Sequence, residues 1–188
     1  MGVNLIKGQK VDLTKGNASL KALIVGLGWD GSNGGDTIDC DASALMLGGN
    51  GKISSSNSII YFGNKTSKCK SVVHQGDNLT GAGDGDDEQI VVDLAKVPED
   101  ISKIVFVVNI YNCASKGQHF GMIKNAYIRI VDKSANSELV KFNLSNDYNN
   151  MTSLIMGEVY RNNGEWKFTA TGEGSTATSL TDLSAKYN

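Results

Sequence analysis

Residues 151–171, MTSLIMGEVYRNNGEWKFTAT, contain two apolar segments on either side of the turn Asn162-Asn163-Gly164. Asn and Gly tolerate the positive φ angles that tight hairpin turns require. The stretch therefore predicts a β-hairpin with strands at residues 151–161 and 165–171. It is the clearest local indication of antiparallel β-structure in the chain.

Similar short apolar segments, rich in Val and Ile and bounded by Gly, Asn, Asp or Ser, recur along the rest of the chain. This pattern is typical of antiparallel strands. The predicted strands are residues 21–27, 40–47, 58–62, 72–74, 89–93, 103–111, 125–131, 138–144, 153–160 and 165–172. So many short strands favour an all-β fold, a two-sheet antiparallel β-sandwich, over an α/β fold or a barrel. We expect residues 1–188 to form a single domain.

One or two short helices are expected between the strands. The single proline, Pro98, is followed by two acidic residues and suits the first turn of a short helix over residues 98–102. Residues 179–187 repeat apolar side chains at helical spacing after a Ser-x-x-Asp pair that resembles a capping box. The second pattern predicts a short helix that closes the chain.

The charge and cysteine content narrow the class of protein. The formal net charge is −2, which lacks the positive field that a nucleic acid or an anionic membrane would attract. No apolar run approaches the roughly 20 residues of a membrane span, and the first residues do not match a signal peptide. Cys40, Cys69 and Cys113 are widely spaced, which predicts neither disulfides nor a zinc site. We expect a cytoplasmic protein.

The strongest chemical signal is the loop at residues 76–88, GDNLTGAGDGDDE. Its side chains offer carboxylate, amide and hydroxyl oxygens and no Lys or Arg, which is the oxygen set that calcium prefers. The interleaved glycines would let neighbouring ligands converge on one ion. The alternative is a solvated acidic loop that binds nothing. An EF-hand is excluded, because Gln89 stands where the invariant glycine of that loop belongs.

A second acidic segment ends in an alternation that places Asp39, Asp41 and Ser43 on one face of a strand. Cys40 faces the other way and is expected to be buried as a small hydrophobe. The carboxylates either face water or join Asp30 and the acidic loop around a metal.

Residues 26–31, GLGWDG, match the G-x-G-x-x-G pattern of dinucleotide sites. No amphipathic helix follows, and Asp30 would place a carboxylate where a pyrophosphate should bind. We therefore do not expect nucleotide binding at this motif.

Six segments carry a family resemblance: KALIVGLGWD (21–30), DCDASA (39–44), VHQGDNLTGAGDGDDEQI (73–90), VDLAKVPEDISKI (92–104), FGMIKNAYIRIVD (120–132) and GEVYRNNGEWKF (157–168). Together they resemble the TerD family of tellurite-resistance and stress-response proteins over about residues 3–187. The resemblance implies a cytoplasmic bacterial β-sandwich that binds calcium, as two ions, through its acidic loops. The implied ligands are Asp30, Asp39, Asp41, Asp77, Asn78, Asp84, Asp86, Asp87 and Glu88.

We expect a binding module and no enzyme. Calcium would order the acidic loops into a surface for other stress- or tellurite-resistance proteins, or for a membrane-associated assembly. Two alternatives stay open. A hydrolase would use a metal-held water with His74 or His119 as base, and a small-ligand protein would bind a cyclic nucleotide, as some relatives are described to do. The latter lacks a basic phosphate pocket, since Arg129 and Arg161 are the only arginines and are expected at the sheet surface. The sequence makes no prediction of oligomeric state.

Overall fold

The computed structural model describes residues 2–30, 38–76, 85–144 and 148–188, which form two packed sheets of six strands. The strand order of the first sheet is β1 (Val3–Leu5), β10 (Ser137–Asn143), β9 (Lys124–Asp132), β3 (Ala22–Asp30), β7 (Glu88–Asp93) and β6 (Val72–His74). The order of the second is β2 (Lys10–Asp12), β12 (Glu165–Ser175), β11 (Ser153–Asn162), β8 (Ile101–Ile110), β4 (Cys40–Gly48) and β5 (Ile59–Ile60). Neighbouring strands are antiparallel except the parallel pair β1 and β10.

The predicted two-sheet β-sandwich is confirmed, and every predicted strand overlaps an observed one. The sequence did not predict β1 and β2. Both are three residues long and mostly exposed, so they carry no apolar periodicity. They become strands by pairing with β10 and β12 at the sheet edges.

The hairpin predicted at residues 151–171 is confirmed as β11 and β12, with Asn162 opposite Glu165. Asn163 and Gly164 form its two-residue turn, with φ angles of 52° and 80°. Positive φ at both central positions is characteristic of a type I′ turn, whose twist matches that of the flanking strands.

The core lies between the two sheets and follows the alternation of each strand. In β3, Leu23, Val25 and Leu27 point inward and are buried. Phe106 of β8 belongs to the same hydrophobic cluster from the opposite sheet. Full burial of side chains of this size contributes about 1.5 to 3 kcal/mol each. Cys40 lies in this cluster, as the alternation predicted, and all three cysteines are free thiols.

The C-terminal helix is confirmed as α2 (Leu180–Ser184), which continues as a 3₁₀ turn at Ala185–Tyr187. Ser179 Oγ accepts a hydrogen bond from the Asp182 N–H at 3.1 Å, which caps the helix as predicted. Leu183 packs on the outer face of the second sheet in a second apolar cluster.

The helix predicted at residues 98–102 is wrong. The Ile101 N–H donates to Pro98 O at 3.1 Å and closes a turn, and β8 begins at Ile101. The last residues of the predicted helix are paired in the sheet as the start of β8. Tertiary pairing therefore overrides the local preference for a helical turn. The short helix α1 (Cys113–Lys116) was not predicted. Within the described ranges, no helix has the length and apolarity to cross a membrane.

Candidate metal centre

Three strand ends meet at one end of the sandwich and bring predicted ligands together. β3 ends at Asp30, β4 begins at Cys40 and β7 begins at Glu88. Leu27 pairs with Glu88 in the register of β3 and β7, so these two ends are adjacent. The acidic loop connects β6 to β7 and therefore leaves the sandwich at this same end.

Two hydrogen bonds tie the start of β7 to β3 in its own sheet and to β4 in the opposite sheet. The Trp29 N–H donates to Asp87 Oδ2 at 2.8 Å. The Ala42 N–H donates to Glu88 Oε2 at 2.6 Å, across from one sheet to the other. A carboxylate has about four lone-pair sites, so it can accept hydrogen bonds and also contact a cation. These bonds orient the two carboxylates.

The negative charges of four carboxylates act on the Cys40 thiol. Burial raises the pKa of this thiol well above its usual value, and the negative charges of Asp39, Asp41, Glu88 and Asp87 raise it further. The thiol therefore stays protonated, and the groups available to a cation here are oxygens. This donor set fits calcium and does not fit a thiolate-bound metal such as zinc.

The negative charges of Asp30 and Asp87 repel each other at this end. The pKa of Asp87 is raised, first by burial and then by the charges of Asp30 and Asp86, although the hydrogen bond from Trp29 opposes the change. Asp30 is exposed, and its Oδ2 accepts a hydrogen bond from Asn125 Nδ2. Like charges held this close are stabilised when a cation joins them.

Asp86 differs from the other predicted ligands because its oxygens are already bonded within the chain. Its side chain is 1% exposed, and Arg129 Nε donates to its Oδ1 at 2.7 Å. Tyr127 Oη donates to the same oxygen at 3.0 Å, while Arg129 Nη2 and Gln89 Nε2 donate to Oδ2 at 3.1 and 3.0 Å. A bidentate guanidinium neutralises a carboxylate. The geometry therefore favours Asp86 as an anchor for the start of β7.

Sequence reasoning missed this role of Arg129, which it placed at the sheet surface without a partner. Arg129 lies in the middle of β9, and the two residues of the ion pair are 43 positions apart in the chain. No local signal in the sequence connects them.

The glycines of the G-x-G-x-x-G pattern make room for this polar network. Gly26 lies opposite Arg129, and Gly28 lies opposite Tyr127, in the register of β3 and β9. A Cβ atom at Gly26 would overlap the Asp86 carboxylate, and one at Gly28 would lie 2.5 Å from the Tyr127 ring. Close packing on the outer face of the first sheet thus explains these two glycines. The third glycine of the pattern lies outside the described residues.

The two histidines occupy structural positions. His74 and Glu88 both have fully buried side chains, and His74 Nε2 lies 3.5 Å from Glu88 Oε2. His74 Nδ1 accepts the Gly76 N–H at 3.3 Å. His119 Nδ1 accepts two backbone N–H groups, at 3.2 and 3.3 Å.

Besides Asp86, the described residues include five predicted ligands at or next to the ends of β3, β4 and β7: Asp30, Asp39, Asp41, Asp87 and Glu88. Asp77, Asn78 and Asp84 lie outside the described residues. Within the residues that are described, no group of three or more His, Cys, Asp or Glu side chains forms a metal site by itself.

A cavity of about 830 Å³ opens on the outer face of the second sheet beside α2. We call it the outer groove, and Asp41, Ser43 and Asn109 are among its lining residues. Asp41 pairs with Asn109 in the register of β4 and β8, so the three side chains share one face. This confirms the predicted common face of Asp41 and Ser43. Asn109 was not predicted, although it is the one polar residue in the apolar run 104–110.

Comparisons with known proteins agree on the family. A TerD domain matches residues 1–187. The chain is 53% identical to the stress response protein SCP2 of Bacillus subtilis (strain 168) over 199 aligned residues, covering 100% of both chains. It is 44% identical to the tellurium resistance protein TerD of Serratia marcescens over 188 aligned residues, covering 100% of this chain and 97% of that protein.

A solved structure shows the same fold. The crystal structure of a homologue of telluride resistance protein (TerD) from Streptomyces coelicolor A3(2) matches with a TM-score of 0.74 at 20% identity. The match covers 90% of this chain and 98% of that chain. The domain match over nearly the whole chain and the identity to full-length relatives show that this chain belongs to the TerD family.

Proposed function

We propose that this protein is a calcium-binding module that acts in the stress response and in tellurium resistance. The observation that carries the proposal is that the Trp29 and Ala42 N–H groups hold the carboxylates of Asp87 and Glu88 at the end of the sandwich where β3 ends at Asp30 and β4 begins. The donor set is made of oxygens, which is the chemistry that calcium prefers. The names of the relatives, a stress response protein and a tellurium resistance protein, support the physiological assignment.

In this proposal the described carboxylates form one wall of the site and the acidic loop completes it. The proposed ligands are Asp30, Asp39, Asp41, Asp87 and Glu88, with Asp77, Asn78 and Asp84 from the loop. The number of carboxylates suits two ions, because each calcium takes six to eight oxygens. Burial, and after it the charges of Asp30 and Asp86, raise the pKa of Asp87, and bound calcium would supply a positive charge that offsets this repulsion. Asp86, bonded to Arg129, holds the start of β7 in place.

Ordering of the acidic loops by calcium would create a surface for a partner, and we propose another stress- or tellurite-resistance protein, or a membrane-associated assembly, as that partner. We propose a cytoplasmic, non-catalytic role. The burial of His74 and the backbone bonds of His119 support it, because a general base must reach its substrate.

Calorimetric titration of the purified full-length chain with calcium, together with thermal unfolding, tests the proposal. Calcium should bind and raise the melting temperature, because it binds the folded state in preference to the unfolded chain. Asp87→Asn should weaken calcium binding about tenfold or more through the loss of one charged ligand. Asp100→Asn is the matched control, since Asp100 is exposed in the turn before β8. Far-UV circular dichroism checks that both variants fold.

An absence of both heat and thermal stabilisation at millimolar calcium would overturn the calcium assignment. The partner surface needs a separate measurement: capture of proteins from lysate in calcium and in chelator, with wild type and Asp87→Asn. Capture that is equal in all four samples would mean that calcium does not control the partner surface.

A further inference from the structure

The outer groove contains two buried polar atoms that the described part of the chain leaves without hydrogen-bond partners. They are Ser43 Oγ and Asn109 Oδ1. Ser43 is 0% exposed and Asn109 is 6% exposed. An unsatisfied buried polar group costs about 1 to 3 kcal/mol, so native proteins retain few of them. Two on one face of one cavity indicate a place where an external ligand completes the hydrogen bonds.

The charge of the outer groove selects the sign of that ligand. Asp41 is the only formally charged side chain among the described lining residues, and it lies beside Asn109 across the β4–β8 pair. An anion such as a phosphate would be repelled, while a cation would be attracted. A cyclic nucleotide is therefore a poor occupant of this cavity.

The remaining lining residues indicate an organic cation. Tyr61, Phe62 and Tyr111 also line the groove, and Phe62 and Tyr111 are exposed. Aromatic rings bind hydrocarbon and attract a nearby cation through their faces. The volume of about 830 Å³ lies in the range of small-molecule sites and is far larger than a metal ion needs.

We propose that the outer groove binds a small organic cation that carries a primary ammonium group. The three N–H donors of the ammonium go to the acceptors on Asp41, Ser43 and Asn109. The hydrocarbon part of the ligand lies against the aromatic side chains. A charged donor forms stronger hydrogen bonds than a neutral one, which favours an amine over an alcohol of the same shape.

This inference is separable from the calcium proposal. The two share Asp41, but Ser43 and Asn109 are outside the proposed calcium set. The variants Ser43→Ala and Asn109→Leu therefore change the outer groove alone, and their calcium binding should equal that of the wild type.

A titration of the full-length ¹⁵N-labelled chain with n-butylamine, followed by two-dimensional NMR in calcium-free buffer, tests the proposal. The side-chain amide of Asn109 and the backbone amide of Ser43 should shift with the amine and not with n-butanol. Ser43→Ala and Asn109→Leu should each weaken binding about tenfold, which corresponds to one charge-assisted hydrogen bond. Thr169→Val is the matched control, because Thr169 Oγ1 is another buried, unpartnered hydroxyl among the described residues but lies outside the groove lining.

Four results would overturn the proposal. The first is equal binding of n-butanol, and the second is wild-type affinity in both groove variants. The third is a shift of the groove amides by calcium without any shift by the amine, which would make the groove part of the metal site. The fourth is binding of acetate that shifts the same amides with an affinity equal to that of n-butylamine, which would show that the groove does not select a cation.

Discussion

The outer faces of the two sheets both carry buried polar side chains, but they satisfy them differently. On the first sheet, Asp86 accepts four hydrogen bonds from Arg129, Tyr127 and Gln89. On the second sheet, Ser43 and Asn109 have no such partners among the described residues. A completed network stabilises and orients the strands around it, whereas an incomplete one keeps hydrogen-bonding capacity for a ligand. The contrast distinguishes Asp86, whose carboxylate has a structural role, from the outer groove, which we propose as a binding site.

The largest expected effect comes from breaking the completed network. Asp86→Ala removes the acceptor of the Tyr127 hydroxyl and the closer of the two carboxylates that pair with Arg129, so it should lower the free energy of unfolding by about 3 kcal/mol. Urea denaturation measures the change. The control is Lys96→Met, which removes the exposed ion pair with Asp93 and should cost less than about 1 kcal/mol. An unchanged stability together with lost calcium binding would show that Asp86 is a ligand after all.

A substitution that crowds the Asp86 carboxylate tests the same hydrogen-bond network. Gly26→Ala adds a Cβ that overlaps the Asp86 carboxylate, which should cost about 2 kcal/mol through displacement of the ion pair. Gly49→Ala is the matched control, because its Cβ would meet nothing within 4 Å. Chemical denaturation of both variants gives the comparison. Equal costs at the two positions would refute the packing explanation of Gly26.

Removal of one hydroxyl should have a smaller effect that depends on pH. Tyr127→Phe loses the bond to Asp86 and should cost about 1 kcal/mol at neutral pH. Burial and the charge of Asp86 raise the pKa of Tyr127. Protonated Tyr127 therefore makes its full contribution to the free energy of unfolding below about pH 10, the usual tyrosine pKa. This contribution is lost as the pH rises above that value.

The stability difference between wild type and Tyr127→Phe should consequently shrink in alkaline buffer. Urea denaturation at neutral pH and above about pH 10 measures it. The same substitution in an Asp86→Asn background should show less pH dependence, since the charge of Asp86 contributes to the raised pKa. A difference that stays constant with pH would contradict this assignment.

The smallest effect should have the opposite sign. Ser43→Ala removes a buried hydroxyl without a partner among the described residues and should raise the stability of the ligand-free chain by about 0.5 kcal/mol. Ser67→Ala is the matched control, because Ser67 Oγ is buried but accepts the Val72 N–H at 3.0 Å, and its loss should cost about 1 kcal/mol. Destabilisation by both substitutions would remove the contrast between the two faces.

Local features were predictable because neighbouring residues determine them. The Asn163-Gly164 turn, the strand alternation that buries Cys40, and the capped C-terminal helix were all read from residues close in sequence. The turn at Pro98 was misread as a helix because the pairing of β8 is not a local property. The grouping of the acidic segments into one site stays a prediction, made because the carboxylates cluster in two segments and the family resemblance joined them.

By itself, the sequence determined the β-sandwich class, the TerD family and the segments that carry the carboxylates. The tertiary structure decided that the carboxylate of Asp86 is neutralised within the chain. Asp86 meets Arg129, and Ser43 and Asn109 share a cavity, only because strands distant in the chain are paired side by side. Hydrogen bonds and charges act over a few ångströms, so the roles of these residues depend on neighbours that the order of the chain does not reveal.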